Sequence, residues 1–279
     1  MRKSTILILL SLFLIFYYYY FHFTPDFFVA TYQDGTQINI ALSLSVVPRF
    51  WKELGNWEPE SLRVFNRFVD SETVFIDVGA WEGPALLYAV RQAKTVLGVE
   101  PDPYSYRALR ENIELNPKFS SRISVTEGCI SNKKQKYKLS GKGESNSVLG
   151  ELHQDFERQS KKWGDLGVHE IDCDTLDGFV KDKGVPETQK LFIKLDTEGS
   201  EYIILPSLTS WVKSRQVKPI FWVSIHQPTS NIEEKKKDLL QFIHSFQHCG
   251  KSIDHIIPCS TIDDKYLGGV FELLLTDKL

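Results

Sequence analysis

Hydrophobic and polar positions alternate between two periods along most of this chain. Phe27 to Tyr32 and Thr36 to Leu42 read as strands flanking Asp34-Gly35, a hairpin signal. Glu58 to Phe68 has helical spacing, and the apolar run Val74 to Val78 reads as a strand covered on both faces. Thr95 to Val99 is a second such strand. Tyr104 to Leu115 carries apolar and aromatic residues at helical spacing and is stopped by Asn116-Pro117. Ile123 to Ile130, Val168 to Cys173, Leu191 to Leu195, Phe221 to Ile225, Ile253 to Ile257 and Val270 to Leu275 supply further strands. Leu176 to Lys181 and Ile232 to Phe246 read as helices between them. Alternating strands and helices predict an α/β fold with a mostly parallel sheet. The polar, lysine-rich stretch Ser131 to Gly167 interrupts the alternation and is expected to hold short strands and a substrate-facing loop.

The first chemical signal sits where the strand at Val74 ends. Asp77-Val78-Gly79-Ala80-Trp81-Glu82-Gly83-Pro84 turns from a buried strand into a helix start. Gly79 and Gly83 permit a tight turn, and Pro84 suits a first helical position. Such a turn at the carboxyl end of a parallel sheet is a nucleotide-type site. Three residues separate the glycines, and the third glycine of the dinucleotide fingerprint is missing, which disfavours a nicotinamide-dependent oxidoreductase. An acidic lip around Trp81 and Glu82 suits a ligand with cationic centres, such as S-adenosylmethionine. Glu100 ends the next strand about 20 residues on, the offset at which a carboxylate meets ribose hydroxyls. A competing role for Glu100 is to cap a helix beginning near Pro103.

The second signal, Phe192-Ile193-Lys194-Leu195-Asp196-Thr197-Glu198-Gly199-Ser200-Glu201, repeats that logic. Asp196, Glu198 and Glu201 crowd a small region with Lys194, and crowded carboxylates shift one another's pKa values. Glu201 in a first helical turn and Lys194 in a plain ion pair are equally good structural roles. Asp196 and Glu198 are left as candidates for proton abstraction. His226, at the tip of the strand from Phe221, is able to take a proton near neutral pH or orient a hydroxyl. Hard cations take oxygen ligands, but no metal set is assigned from the sequence.

Composition bounds the remainder. The 279 residues, 42% hydrophobic and 13% aromatic, suffice for one large α/β domain. A net charge of −3 points away from nucleic acid as an obligatory partner. Arg2 and Lys3 precede an uncharged apolar run from Thr5 to Phe23, which as a helix spans roughly 28 Å, close to the hydrocarbon thickness. The expected organisation is a cytoplasmic tail over 1–3, a transmembrane signal anchor over 4–23, a hairpin and helix extension over 24–70, and a catalytic domain over 71–279 on the lumenal or extracytoplasmic side, in the endomembrane system if the cell is eukaryotic. A cleaved signal peptide is the rival to the anchor. Among four cysteines, Cys249 and Cys259 form the favoured disulfide, whereas Cys129 and Cys173 read as ordinary buried thiols.

Asp77-Val78-Gly79-Ala80 with Gly83, Glu100-Pro101, the Asp172 to Asp177 stretch with Leu176, and Ile193 to Glu201 together resemble the FkbM-type methyltransferases, from about Phe65 to Leu275. Trp81 stands where that family commonly has asparagine, and Ser224 where an acidic residue often precedes the histidine. The resemblance implies the Rossmann-like class I fold with a seven-stranded sheet and helices on both faces. It implies S-adenosylmethionine as donor and O-methylation of a hydroxyl on a sugar, glycan or small metabolite. Asp77, Gly79, Ala80, Gly83 and Glu100 would hold the donor; Asp196, Glu198 and His226 would serve the acceptor. A catalytically inactive, membrane-tethered binding protein of the same fold is the alternative.

Overall fold

The computed structural model describes residues 27–42, 48–140, 148–149, 168–226 and 232–279. The segment expected to anchor the chain, 4–23, lies outside them; among the described residues no helix is long and apolar enough to cross a membrane.

The central sheet is built from strands β3 (Thr73–Val78), β4 (Thr95–Glu100), β5 (Ile123–Glu127), β10 (Lys190–Leu195), β11 (Ile220–Ile225), β12 (His248–Ser252), β13 (His255–Pro258) and β14 (Phe271–Thr276). Their order across the sheet is β13-β12-β14-β11-β10-β3-β4-β5. The run β5-β4-β3-β10-β11 is parallel, and β14 enters antiparallel between β11 and β12. Seven of these strands were expected, the one at Ile253 to Ile257 being β13; the eighth, β12, was not, since Gly250 and Lys251 break the apolar pattern that would mark it, and it pairs with β13 in a tight hairpin at the sheet's edge.

Every residue of β3 and β11 is buried, as central parallel strands require. One face is covered by α6 (Leu176–Asp182), α7 (Glu201–Ser207), α8 (Thr209–Ser214) and α9 (Ile232–Ile243), around Ile193, Val223 and Leu205. The other is covered by α2 (Pro59–Phe68), α3 (Pro84–Ala89), α4 (Pro103–Glu114) and the short α5 (Pro117–Ser120), around Phe75, Phe192 and Phe65. Phe75 and Phe192 stack across neighbouring strands with centroids 5.4 Å apart.

The hairpin of β1 (Phe27–Thr31) and β2 (Gln37–Ala41) and the short helix α1 (Pro48–Lys52) pack onto this second face. Asn112 and Asn116 of the α4 end fasten the hairpin. Asn112 Oδ1 accepts from the Ala41 amide, and Asn116 both accepts from the Asn39 amide and donates to its carbonyl. Helices α1 and α8 were not foreseen, as five and six residues carry too little periodicity.

The strand expected over 123–130 is broken at Gly128. Its amide donates to Glu100 O, and the chain leaves the main sheet as β6 (Cys129–Ile130). A second sheet follows, ordered β6-β9-β7-β8, from β7 (Gln135–Ser140), β8 (Val148–Leu149) and β9 (Val168–Asp174). Of these, β7 and β8 fall within the polar stretch expected to hold short strands, and β9 is the strand expected from Val168. Cys129 stands directly opposite Cys173 in the β6–β9 register, and the two form a disulfide. This corrects the expectation of free buried thiols: at a sequence separation of 44, their pairing is set by sheet register rather than by spacing. Cys249 and Cys259 form the disulfide that the sequence favoured.

Candidate active site

Strands β3, β10 and β11 end side by side. Lys194 is in register with Asp77 on one side and with Trp222 on the other, so the residues following each strand share one rim. The chain reverses after β3 in a tight turn. The amides of Gly79 and Ala80 both donate to Val99 O at the end of β4, and the Asp196 amide donates to Val78 O. Gly79 takes φ +81°, and a side chain there would run into the Asp196 carbonyl. Gly83, at φ +97°, begins α3; a Cβ there would lie 2.6 Å from Leu109 Cδ1. Trp81 at φ 50° and Glu198 at φ 54° hold left-handed backbone that side chains disfavour.

A cavity of about 420 Å³ opens over this rim. Asp77, Gly79, Ala80, Trp81, Lys194 and Asp196 form its floor and one wall, with Glu198, Ser224 and His226 beside them. The sequence reading did not include the opposite wall. Phe50, Trp57 and Glu58 come from α1 and the entry to α2, and Phe271 and Glu272 from β14. Glu272 has a register signal, being opposite Ser224. Phe50 and Trp57 had none, since nothing local ties them to the strand ends.

Asp77 is buried to 1% exposure, and neither carboxylate oxygen has a hydrogen-bond partner. Lys194 Nζ stands 3.7 Å from Asp77 Oδ1 and 3.1 Å from Asp196 Oδ2. Burial pushes the Asp77 carboxyl up to about 6 against the pull of the lysine. Lys194 is buried yet held above its ordinary value by Asp196, Asp77 and Glu58. A buried carboxylate on a cavity wall that makes an ion pair but no hydrogen bond is costly to keep and marks a place for a donor group.

On the other side, His226 is surrounded by acids. Its Nε2 is 3.8 Å from Asp196 Oδ1 and 3.8 Å from Glu198 Oε2, and its Nδ1 is 3.4 Å from Glu201 Oε1. Against the effect of burial, these carboxylates push the imidazole up to about 9. Burial pushes Glu198 up to about 7. Asp196 sits below its ordinary value: Lys194 and then His226 outweigh its burial. Glu201 is fully buried and accepts from the Thr197 amide and hydroxyl and the Gly199 amide. It therefore shapes the loop as well as facing the histidine.

Of the expected site residues, Asp77, Gly79, Ala80, Asp196, Glu198 and His226 come together on the cavity. Gly83 and Glu100 do not line it. Glu100 lies beneath the turn, its two oxygens accepting from the Trp81 and Asp102 amides at 2.7 and 2.8 Å. The cap of α4 is Asp102, which accepts from the amides of Tyr104 and Ser105. Glu100 thus supports a capping residue instead of capping the helix itself. Glu82 forms no acidic lip: it is completely buried and accepts from the Trp51 indole at 2.6 Å. Trp81 packs instead against Phe50, centroids 4.7 Å apart.

The sequence model for the methyltransferase FkbM domain matches residues 77–253. An uncharacterized protein of Methanocaldococcus jannaschii is 34% identical over 76 residues, which cover 26% of this chain and 29% of that one. The chain therefore spans under a third of the length of that relative. The crystal structure of a methyltransferase FkbM from Methylobacillus flagellatus aligns with 85% of this chain and 56% of its own, at 16% identity and a TM-score of 0.45. A putative rRNA-methylase from Clostridium thermocellum aligns with 78% of this chain and 94% of its own, at 10% identity and a TM-score of 0.43. With the family match running from the carboxylate of the first turn through both strand ends of the cavity, this chain belongs to the FkbM methyltransferase family.

Proposed function

We propose that the protein transfers a methyl group from S-adenosylmethionine to a hydroxyl of a sugar, glycan or small metabolite. One observation carries this reading: the buried carboxylate of Asp77, ion-paired with Lys194 at 3.7 Å but without a hydrogen bond, lines the same cavity as the Asp196–Glu198–His226 cluster. The residues fit such a donor, because its ammonium group would give the Asp77 oxygens the hydrogen bond that Lys194, at 3.7 Å, does not. When bound, the donor supplies an activated methyl group. Asp77 and the Gly79–Ala80 turn hold its amino-acid end, and the ordered Trp81 amide, pinned by Glu100, keeps that turn rigid.

The acceptor hydroxyl is oriented from the other end. His226, carrying its proton near neutral pH, donates to the acceptor and fixes it relative to Asp196. Glu198 Oε2, poised near neutrality, takes the hydroxyl proton. The aromatic wall of Phe50, Trp57 and Trp81 offers flat apolar faces to a sugar ring and excludes water from the reacting oxygen. Holding donor and acceptor in line is then the larger part of catalysis.

Calorimetry with S-adenosylmethionine on the wild type and on Asp77→Asn tests the reading. Binding weakened at least tenfold by the substitution is expected; equal binding to both proteins overturns it. Donor binding without a one-methyl mass gain on any glycan or small hydroxyl acceptor would favour the inactive, tethered alternative. We also assign the N-terminal apolar run to a membrane anchor and the domain to the extracytoplasmic side. The two disulfides support an oxidising compartment. Protease protection of the domain in intact vesicles is the test.

A further inference from the structure

Three side chains meet at the acidic end of the cavity from two strand ends. Asp196 and Glu198 follow β10, and His226 follows β11. One ligand-type atom from each lies within 4.8 Å of the others. We propose that Asp196, Glu198 and His226 bind a divalent cation of the Mn²⁺ class through one oxygen, one oxygen and Nε2.

The donor set is mixed: two hard carboxylates and one imidazole. Carboxylates alone would suit Mg²⁺ or Ca²⁺, whereas imidazole favours the transition metals, so Mn²⁺ is the cation that both tolerate. Ligand atoms about 2.1 Å from a common cation lie roughly 3.0–3.5 Å apart. The 3.8 Å separations of His226 Nε2 from each carboxylate close to that range with small side-chain shifts. The far nitrogen of the ring, Nδ1, faces Glu201, itself fixed by three donors of its own loop. A histidine held in this way by a buried carboxylate presents its other nitrogen to a metal, the usual outer arrangement of metal-binding histidines.

Two observations outside the cluster point the same way. Asp77 is 99% buried on the wall of the same cavity with neither oxygen hydrogen-bonded, and it shares its one ion-pair partner, Lys194, with Asp196. Around this space stand the carboxyls of Glu58, Asp77, Asp196, Glu198, Glu201 and Glu272, against only Lys194 and His226 among the described lining and contacting residues. A dication at one end, with a cationic donor at the other, restores the balance. With the cation bound, the His226 proton is displaced by the metal, which takes over the orienting role of that proton, and the second oxygen of Glu198 is left to accept the hydroxyl proton; that consequence rests on the methyl-transfer reading, whereas the binding itself does not.

The test uses the full chain without a histidine tag, stripped by chelator and titrated with MnCl₂ by calorimetry and by loss of the free-ion electron paramagnetic resonance signal. One Mn²⁺ per chain is expected. Glu198→Gln and His226→Gln should each weaken binding at least tenfold, and Glu201→Gln, one shell out, by about tenfold. Each variant's thermal transition should stay cooperative. Glu198 is the safer of the two ligand variants, its side chain being 31% exposed. Absence of stoichiometric Mn²⁺ uptake by the wild type overturns the proposal, as does uptake retained in both Glu198→Gln and His226→Gln. Donor calorimetry on the chelator-stripped protein reports separately on methyl-donor binding, so the two readings fail independently.

Discussion

The main-chain carbonyl of Asp196 occupies the space that any side chain on Gly79 would need. The two turns that end β3 and β10 are thus packed backbone to backbone, and Gly79 also holds φ +81°. Gly79→Ala is expected to cost about 3 kcal/mol or more, combining a positive-φ penalty with a backbone collision. Urea denaturation measures it. A loss under about 1 kcal/mol would mean that the two turns move apart without consequence.

Lys194 is the buried cation between Asp77 and Asp196. Lys194→Met would leave the buried Asp77 without its counter-charge and Asp196 with His226 alone, a change expected to cost about 3–5 kcal/mol. Adding Asp77→Asn should restore part of that loss, since the remaining carboxyl, Asp196, is less deeply buried. Additive losses in the double variant would show that the two residues do not interact.

Burial holds Glu100 up at about 8, even though two amides favour its charged form. A carboxyl raised above its unfolded value near 4.3 binds an extra proton when folded. The stability it contributes is complete below that unfolded value and disappears as pH rises through 8. The wild type should therefore melt several degrees lower at pH 9 than at pH 6, and Glu100→Gln should flatten that decline. An unchanged slope in the variant would assign the pH dependence elsewhere.

Cys129–Cys173 closes a long loop, and its removal should cost about 2–4 kcal/mol. Thermal melts of Cys129→Ser/Cys173→Ser against the wild type, with and without reductant, measure this. The reduced wild type should approach the double variant only after Cys249–Cys259 is allowed for with its own double substitution.

Much of the sheet was legible because each central strand is a largely apolar run with a polar residue at or just past its carboxyl end. That pattern placed Asp77, Asp196 and His226 at strand ends, and strand ends in a parallel sheet share an edge. Other features depended on distant contacts. Nothing near Glu100 reveals that the Trp81 and Asp102 amides will claim its oxygens, and nothing near Glu82 announces the Trp51 indole. Glu82 reads as an exposed acid only until the helix that covers it is known. The Cys129–Cys173 bond is of the same kind. It depends on Gly128 turning the chain out of one sheet and into another, where register alone sets the partner.

The cavity draws Phe50, Trp57 and Glu58 from chain that precedes the family match at residue 77. On the proposed methyl-transfer reading, this aromatic wall meets the acceptor while the donor turn lies within the matched region. Exchanging residues 48–58 is then expected to change the acceptor methylated while calorimetric donor binding stays unchanged.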